Sequence, residues 1–396
     1  VDAGFNGDGL SSLQLRRKKG GETEELQLSI NNPDIIQLEK KGNRYILSGA
    51  KKGKAFNASK SVEMEMDSSF FTGIFMCSHK KGVTEEAVFS NLRITVPAPE
   101  DFVAYEDFSG SRLEVMNVKT GNRKIVYTSP KPLEAPNWTP DGERLIYNSE
   151  GKLYEIPVAG GKPVVINTEF ATSLNKDHGI SPDGKWIAIS HHDEQVTKRP
   201  NSRIYIIPRT GGAPRPVTDQ TPSYWHGWSP DGKMLVYTAR RNNYYNVFKI
   251  PSRGGNEIQL TDHHKLDDGP EYSPDGKYIY FNSARTGTMQ IWRMKTDGSE
   301  PEQITHDSYN DWFPHPSPDN KTLVFLSYPP EIDEEDHPHY KHVLIRKIAL
   351  DQEDRTPQVV TFVYGGQGTI NVPSWSPDSK SISFVSYSFP GGDYFK

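Results

Sequence analysis

The sequence is poor in cysteine: Cys77 is the sole one in 396 residues, so no intramolecular disulfide can staple the fold, and compartment cannot be read from cysteine pairing. It also lacks an excess of one charge. With 46 basic and 51 acidic residues the formal charge is −5, which excludes a global cationic field that would condense the chain onto nucleic acid or anionic lipid. No apolar run approaches the roughly 18 residues that cross a bilayer, and no charged-apolar-small leader opens the chain, so no transmembrane segment is expected. A nucleophile elbow of the Gly-x-Ser-x-Gly type is missing as well, which excludes a serine-peptidase body. The first residue is Val1 rather than Met, as in a processed or truncated product from which an export signal would have been lost.

What the sequence does have is turns. Its 33 Gly, 30 Pro and 19 Tyr, in a chain 34% hydrophobic and 24% charged, favour short strands joined by tight connections over helix bundles. One tetrapeptide pattern recurs six times, at Thr139–Gly142, Ser181–Gly184, Ser229–Gly232, Ser273–Gly276, Ser317–Asn320 and Ser376–Ser379, with steps of 42, 48, 44, 44 and 59 residues. That period matches the ~40–50 residues of a propeller blade. In this Ser-Pro-Asp-Gly motif Pro presets the first turn position, Asp bonds its own downstream backbone, and Gly or Asn accepts positive φ. The motif therefore reads as a turn, and its Asp residues are poor candidates for catalysis.

A β-rich apolar run follows each turn: Leu145–Tyr147, Trp186–Ile189, Met234–Tyr237, Tyr278–Phe281, Leu323–Leu326 and Ile382–Val385. Third strands read at Leu153–Ile156, Ile204–Ile207, Asn246–Ile250 and Gln290–Met294, and short fourth strands end near Asn167, Thr218, Thr261 and Thr305. Four antiparallel strands per repeat make a propeller blade. The sixth repeat has only two strands' worth of sequence, while Leu113–Val118 and Lys124–Thr128 lie upstream of the first motif without a turn of their own. Those upstream segments are expected to complete the last blade and close the ring. Phe102–Glu106 reads as a linker strand or a fragment of a seventh blade.

On the SPDG turns and the phrases Asp177–Ser181, Trp225–Ser229, Gly269–Ser273 and Pro373–Ser376, the chain from about Ala98 to Lys396 resembles the TolB-like propellers built of WD40-like PD repeats. The resemblance implies an all-β, six-bladed propeller. It is specific for fold rather than activity, since similar propellers serve as protein-docking platforms, as caps on peptidases and as oligosaccharide lyases.

Residues 1–97 lack the motif and read as strands at Leu13–Leu15, Glu25–Ile30, Ile35–Glu39, Arg44–Leu47, Val62–Met66, Phe71–Met76 and Ala87–Ile94, several of them alternating apolar with polar. The stretch Gly73–His79 followed by Ala87–Arg93 resembles the C-terminal half of a laminin-G or concanavalin-like β-sandwich, which implies carbohydrate binding or a packing role. The expected domains are a partial sandwich over 1–97 and a propeller over 98–396, divided at Pro97–Pro99.

In propellers, ligands gather at the channel mouth, where the loops entering the innermost strands converge. The residues before each SPDG turn are Asn137, His178, His226, Glu271 with Asp268, His315 with Trp312, and Asn371 with Gln367. These are the candidate ligand-binding residues. Imidazole and carboxylate together suit a divalent metal, and His178, His226, Glu271 and His315 are the candidate ligands for Zn, Mn or Fe. Their offsets differ, however: His178 and His226 precede their Ser by three residues, Glu271 and His315 by two. A one-residue shift reverses facing, so a twist or bulge must reconcile them. His337, His339 and His342, in the fifth repeat's long insert, read as members of a solvated loop, as do His191, His192, His263 and His264.

The function expected from these residues is non-catalytic binding of a protein or glycan at the propeller mouth, in the periplasm or outside the cell of a bacterium, with no nucleic-acid partner. The alternative is a metal-dependent carbohydrate-active lyase or hydrolase with its site in the same mouth.

Overall fold

The computed structural model describes the chain apart from residues 6, 67–72, 75, 77, 79–80, 85, 100, 104–106, 108, 194–200 and 390–396. The described residues form 29 strands, and none of them forms a helix long and apolar enough to cross a membrane. Two compact units divide between Leu92 and Arg93.

In the first unit, β1 (Asp2–Phe5), β2 (Ser11–Leu15) and β3 (Glu24–Gln27) form one antiparallel sheet, and β4 (Ile35–Lys41), β5 (Arg44–Ala50) and β6 (Ala58–Glu63) another. Alternation places Leu13 and Leu47 on the apolar faces, where with Leu28 they make a small shared core. Half of the strand expected at Phe71–Met76 falls outside the described residues, and Gly73, Ile74 and Met76 are not in a strand. The one expected at Ala87–Ile94 is not formed: Val88 is 87% exposed and Leu92 60%. An alternating sequence needs a neighbouring strand to satisfy its backbone, and no described strand flanks this one.

The second unit is a ring of six sheets. Blades one to five each run outward from an inner strand, respectively Glu134–Trp138, Leu174–Ile180, Ser223–Trp228, Asp267–Tyr272 and Asn310–Pro316, through three further antiparallel strands. Blade six joins the chain's two ends. Ser381–Ser388 pairs with Gly110–Asn117 over eight residue pairs, Arg123–Ser129 lies outside it, and a single bridge from Trp375 to Ile382 supplies the innermost element. The upstream segments thus complete the last blade as the sequence implies. Phe102 forms no strand; its ring packs edge-on against Tyr340 and Phe389.

The SPDG turns show why they recur. In all six, the Ser or Thr hydroxyl donates to the Asp carboxylate at 2.5–2.7 Å. The same hydroxyl accepts from the amide five residues on, which fixes the start of the second strand. Gly142 at φ +74 has its counterparts in Asn320 at +58 and Ser379 at +60.

Residues 93–98 bond to the propeller, which places the structural division ahead of the Pro97 expected from composition. Arg93 reaches Glu114, the Val96 amide donates to Ser388 Oγ, and the Ala98 amide donates to the Tyr364 hydroxyl. Glu114, on the strand that closes the ring, is fully buried. Arg93 and Arg123 each meet its carboxylate at 2.6 Å, and Ser386 donates to it at 2.6 Å. Burial alone would raise its pKa, but the Arg123 and Arg93 guanidiniums and the Ser386 hydroxyl outweigh burial and hold it below the ordinary carboxylate value.

Removing the charge strands two guanidiniums, at a cost of about 3 kcal/mol. Glu114→Gln is expected to lower the denaturant midpoint of the propeller at pH 7. The wild-type advantage, carried by a depressed carboxylate pKa, is present above the unfolded value and should disappear as the pH falls through the folded one. Equal midpoints at pH 7 would contradict this role.

Candidate functional site

Strand pairing defines which inner-strand positions are equivalent. Two residues before the motif Ser or Thr stand Asn137, Gly179, Gly227, Glu271 and His315, each paired with the residue seven after that Ser or Thr. This layer laces neighbouring blades together. Asn137 Nδ2 donates to the Pro373 carbonyl of blade six, while its Oδ1 accepts the Ile180 amide of blade two. Trp228 Nε1 of blade three donates to the Gly179 carbonyl. His315 Nδ1 lies 2.6 Å from Glu271 Oε2, its Nε2 2.6 Å from the Ile370 carbonyl, and Trp375 Nε1 donates to the His315 carbonyl. Both contacts of the His315 ring are acceptors, so Nε2–H is donated to Ile370 and one further proton is held between His315 and Glu271. Burial raises the Glu271 pKa and favours that proton. Gly179 is required here by contact: a Cβ at this position would come within 2.0 Å of the Trp225 ring.

Five residues before the motif lies a second layer, nearer the end where the inner strands begin: Glu134, Lys176, Tyr224, Asp268, Trp312 and Asn371. Four of them pair with the residue nine after the motif Ser or Thr. Between the two layers the ladder is interrupted in blades one to five. In blade three the unpaired residue is His226, flanked by paired Trp225 and Gly227. The bulge turns its ring into the channel. There Nε2 sits 3.2 Å from Asp268 Oδ1 of blade four, and the ring stacks at 6.1 Å on Phe313 of blade five.

This mouth is ionic and largely buried. Lys176 Nζ is 4.0 Å and His339 Nε2 3.2 Å from Glu134 Oε1. Burial raises the Asp177 pKa to about 6, further raised by Asp268 and only partly offset by His226 and Lys176. For Asp268 burial acts the same way, but the hydrogen bond and charge of His226 prevail and hold it at about 2. Burial opposes the charge on His226, yet Asp268 and Asp177 raise its pKa overall. Burial pushes His178 and His337 down to about 4.

Of the residues singled out in the sequence, His226, Asp268, Glu271 and His315 come together around the channel. His178 does not join them. It is 1% exposed on the blade-one side, Nδ1 donates to the Lys176 carbonyl, and Glu134 is its nearby charge. Trp312 is fully buried core, with the His337 ring stacked on it at 4.4 Å. Gln367 and Asn371 brace the loop into blade six: the Gln367 carbonyl accepts from Tyr387, and Asn371 Oδ1 accepts the Gly368 amide. The expected metal set of His178, His226, Glu271 and His315 is not assembled. Among the described residues no three His, Cys, Asp or Glu groups are arranged to hold an ion, and both ring nitrogens of His315 already meet protein oxygens.

The insert also departs from expectation. His337 and His339 fold back against the channel mouth rather than standing in solvent, because Trp312, Phe313 and Glu134 offer them an aromatic and an ionic seat. His342 packs on Tyr364, His263 and His264 stack on one another, and His191 meets Phe170 and Tyr205 edge-on. Glu134, Lys176 and Tyr224 escaped sequence reading, although they share one offset from the motif with Asp268.

A six-bladed ring of PD-type repeats with a charged channel mouth defines a class of propeller, and comparison with known proteins gives it a family. The family model described as the TolB beta propeller domain matches residues 220–336. An uncharacterized protein of Agrobacterium fabrum is 46% identical over 281 residues, covering 71% of this chain and 93% of its own length. A solved Agrobacterium tumefaciens structure assigned to TolB is 45% identical, covers 71% of this chain and 99% of its own, and superposes with a TM-score of 0.66. The chain belongs to the TolB-like β-propeller family. The Tol-Pal system protein TolB of Bordetella pertussis is 26% identical over 166 residues, and this chain spans 35% of its length.

Because His226 is raised above its ordinary value, its contribution to stability is complete below about pH 6.5 and is lost as the pH rises through the folded pKa. Asp177 acts in the same sense, its contribution fading as the pH rises from about 4 to 6. NMR titration should find the His226 imidazolium persisting above pH 6.5 and Asp268→Asn lowering its pKa. An unchanged titration in the variant would remove Asp268 as the cause.

Proposed function

We propose that this chain is a non-catalytic binding protein of the bacterial envelope, acting in the periplasm, and that it presents the inner-strand entry end of its propeller channel to a partner protein or glycan. The observation that carries this reading is the mouth layer itself. Glu134, Lys176, Tyr224 and Asp268 come from four successive blades to one level, with Asp177 and His226 just beneath. A stability-driven core would place apolar side chains there, since burying charges costs several kcal/mol per ion unless each is well paired. Burial raises the Asp177 pKa to about 6 in spite of His226 and Lys176, which supports a reading in which the pairing is incomplete. A ligand bearing both hydrogen-bond donors and charge would complete it.

Family membership supports the reading in general terms, because the Bordetella relative is named for the Tol-Pal system. A role for the N-terminal unit in holding a second ligand rests on its resemblance to part of a concanavalin-like sandwich. The metal-dependent carbohydrate-active alternative has less behind it, since the residues proposed to hold the metal are engaged with one another and with backbone carbonyls.

The test is retention of ligands by the immobilised chain, from solubilised envelope proteins identified by mass spectrometry and from a glycan array. A genuine mouth ligand should be retained by the wild type, weakened at least about tenfold by Lys176→Ala or Tyr224→Ala, and bound differently at pH 5 and pH 7.5 as Asp177 ionises. A ligand indifferent to both substitutions and to pH would place binding elsewhere and overturn the reading.

A further inference from the structure

Blade five contributes Trp312 to the mouth layer, yet this side chain is fully buried. The His337 ring covers it, stacked at 4.4 Å and 20°, and meets Phe313 edge-on at 5.7 Å. The cover belongs to the insert between the second and third strands of that blade, which arcs over the inner-strand entry end from Tyr328 to His339. Lys265, in the loop entering blade four, meets Glu334 at 3.3 Å and Glu335 at 2.7 Å. Asn310 of blade five donates to the Ile332 carbonyl at 2.9 Å. The Gln367 amide, in the loop into blade six, donates to the Pro338 carbonyl at 3.2 Å.

The two ends of this arc are fixed and its middle is not. Pro329, Pro330 and Pro338 stiffen the ends, Ile332 packs on the core cluster that holds Trp312, and the Pro338 carbonyl also accepts from the Tyr328 hydroxyl at 3.0 Å. Between these anchors, among the described residues, no backbone hydrogen bond joins 333–337 to a blade. The turn there bonds only to itself, the Asp336 amide to the Asp333 carbonyl and the Glu335 amide to the Asp333 carboxylate. What holds it down is the ring stack and the partly exposed Lys265 latch, and ion pairs open to water contribute little. The seat itself is unsatisfied: Trp312 Nε1 and His337 Nδ1 are both buried, and neither meets a hydrogen-bonding protein partner, which weighs against the closed state. Few backbone bonds and weak tethers place a segment among the first to open.

We propose that residues 333–337 are an autoinhibitory flap over the propeller mouth, with His337 the resident occupant of a ring-shaped seat on Trp312, and that a ligand reaches this part of the mouth layer only when the flap lifts. The proposal rests on the reading of the mouth as a binding site and adds what controls access to it. With the flap closed, a ligand meets the charged side of the mouth at Lys176 and Tyr224. With it open, the ligand gains the indole face of Trp312. Latch strength then sets the apparent affinity, because affinity scales with the fraction of molecules in the competent state.

Fluorine NMR of the full chain carrying fluorotryptophan tests it, with the Trp312 resonance assigned by its loss in Trp312→Phe and the buried Trp225 of blade three as reference. Line broadening by a neutral gadolinium chelate reports exposure. Lys265→Glu, which turns both latch pairs repulsive, should raise the broadening of the Trp312 signal roughly fivefold and leave Trp225 unmoved. Adding Glu334→Lys and Glu335→Lys should restore the wild-type value. In His337→Ala, which vacates the seat, millimolar imidazole should shift the Trp312 resonance saturably. A Trp312 signal indifferent to Lys265→Glu overturns the proposal, as does broadening that Trp225 shares, a charge reversal that the triple variant fails to rescue, or a vacated seat that ignores imidazole. None of these outcomes depends on a mouth ligand, so their failure leaves the binding reading standing, and failure of the retention experiment leaves the flap's opening measured.

Discussion

Every feature of the propeller depends on closing the ring, and closure depends on pairing strands from opposite ends of the chain. Ser381–Ser388 meets Gly110–Asn117 across an intervening sequence of more than two hundred residues, so the entropy of joining distant segments must be recovered locally. The buried Glu114 does much of this. It draws Arg93 from the segment entering the ring, Arg123 from the outermost strand and Ser386 from the C-terminal strand onto one carboxylate. A carboxylate with three partners from three segments is satisfied only when all three are present, which makes closure cooperative.

Closure in turn makes the mouth. Five inner strands and the Trp375 bridge of blade six bring one position of each repeat to one level, so side chains forty or more residues apart become neighbours without any long loop. The layer two residues before the motif uses this proximity for structure, with Asn137, Glu271 and His315 bonding from blade to blade. The layer five residues before uses it differently. Its charges are paired across blades at distances up to 4.0 Å, and burial raises the pKa of Asp177 beneath it to about 6. One layer holds the ring together while the other remains electrostatically unfinished, and it is the second that a ligand could complete.

How much of this was legible in the sequence follows from the physics of each signal. The SPDG turn is local: hydroxyl, carboxylate and amide groups within six residues specify it, so blade number, blade order and the pairing of the last blade could be read directly. The facing of the inner strands is not local. His226 reaches the channel because the ladder skips it between Trp225 and Gly227, whereas His178, at the same offset, is paired with Ile189 and lies between blades. No residue pattern distinguishes these two cases, since the bulge is settled by how neighbouring blades pack. Glu134, Lys176 and Tyr224 share one offset from the motif with Asp268, a signal that lies in position rather than in residue type, since a carboxylate, an ammonium and a phenol have no chemistry in common. The insert with His337 and His339 looked like a solvated loop because composition registers its charges and not the aromatic surface of Trp312 and Phe313 that receives it.

The N-terminal unit shows the opposite failure, where a strong local pattern does not produce structure. Ala87–Ile94 alternates as a strand should, yet a strand is defined by its neighbour, and without one its apolar side chains stand in water. The same reasoning applies to β4, whose inner-facing Ile36 and Leu38 continue a stripe that the sheet ends too early to cover. Sequence periodicity reports what a segment can pair with, and only the presence of a partner decides whether it does. In the propeller the ring supplies that partner for every blade, down to the single bridge of Trp375. Among the described residues of the first unit the supply stops at three strands per sheet, and the exposure of Ile36 and Leu38 is the physical consequence.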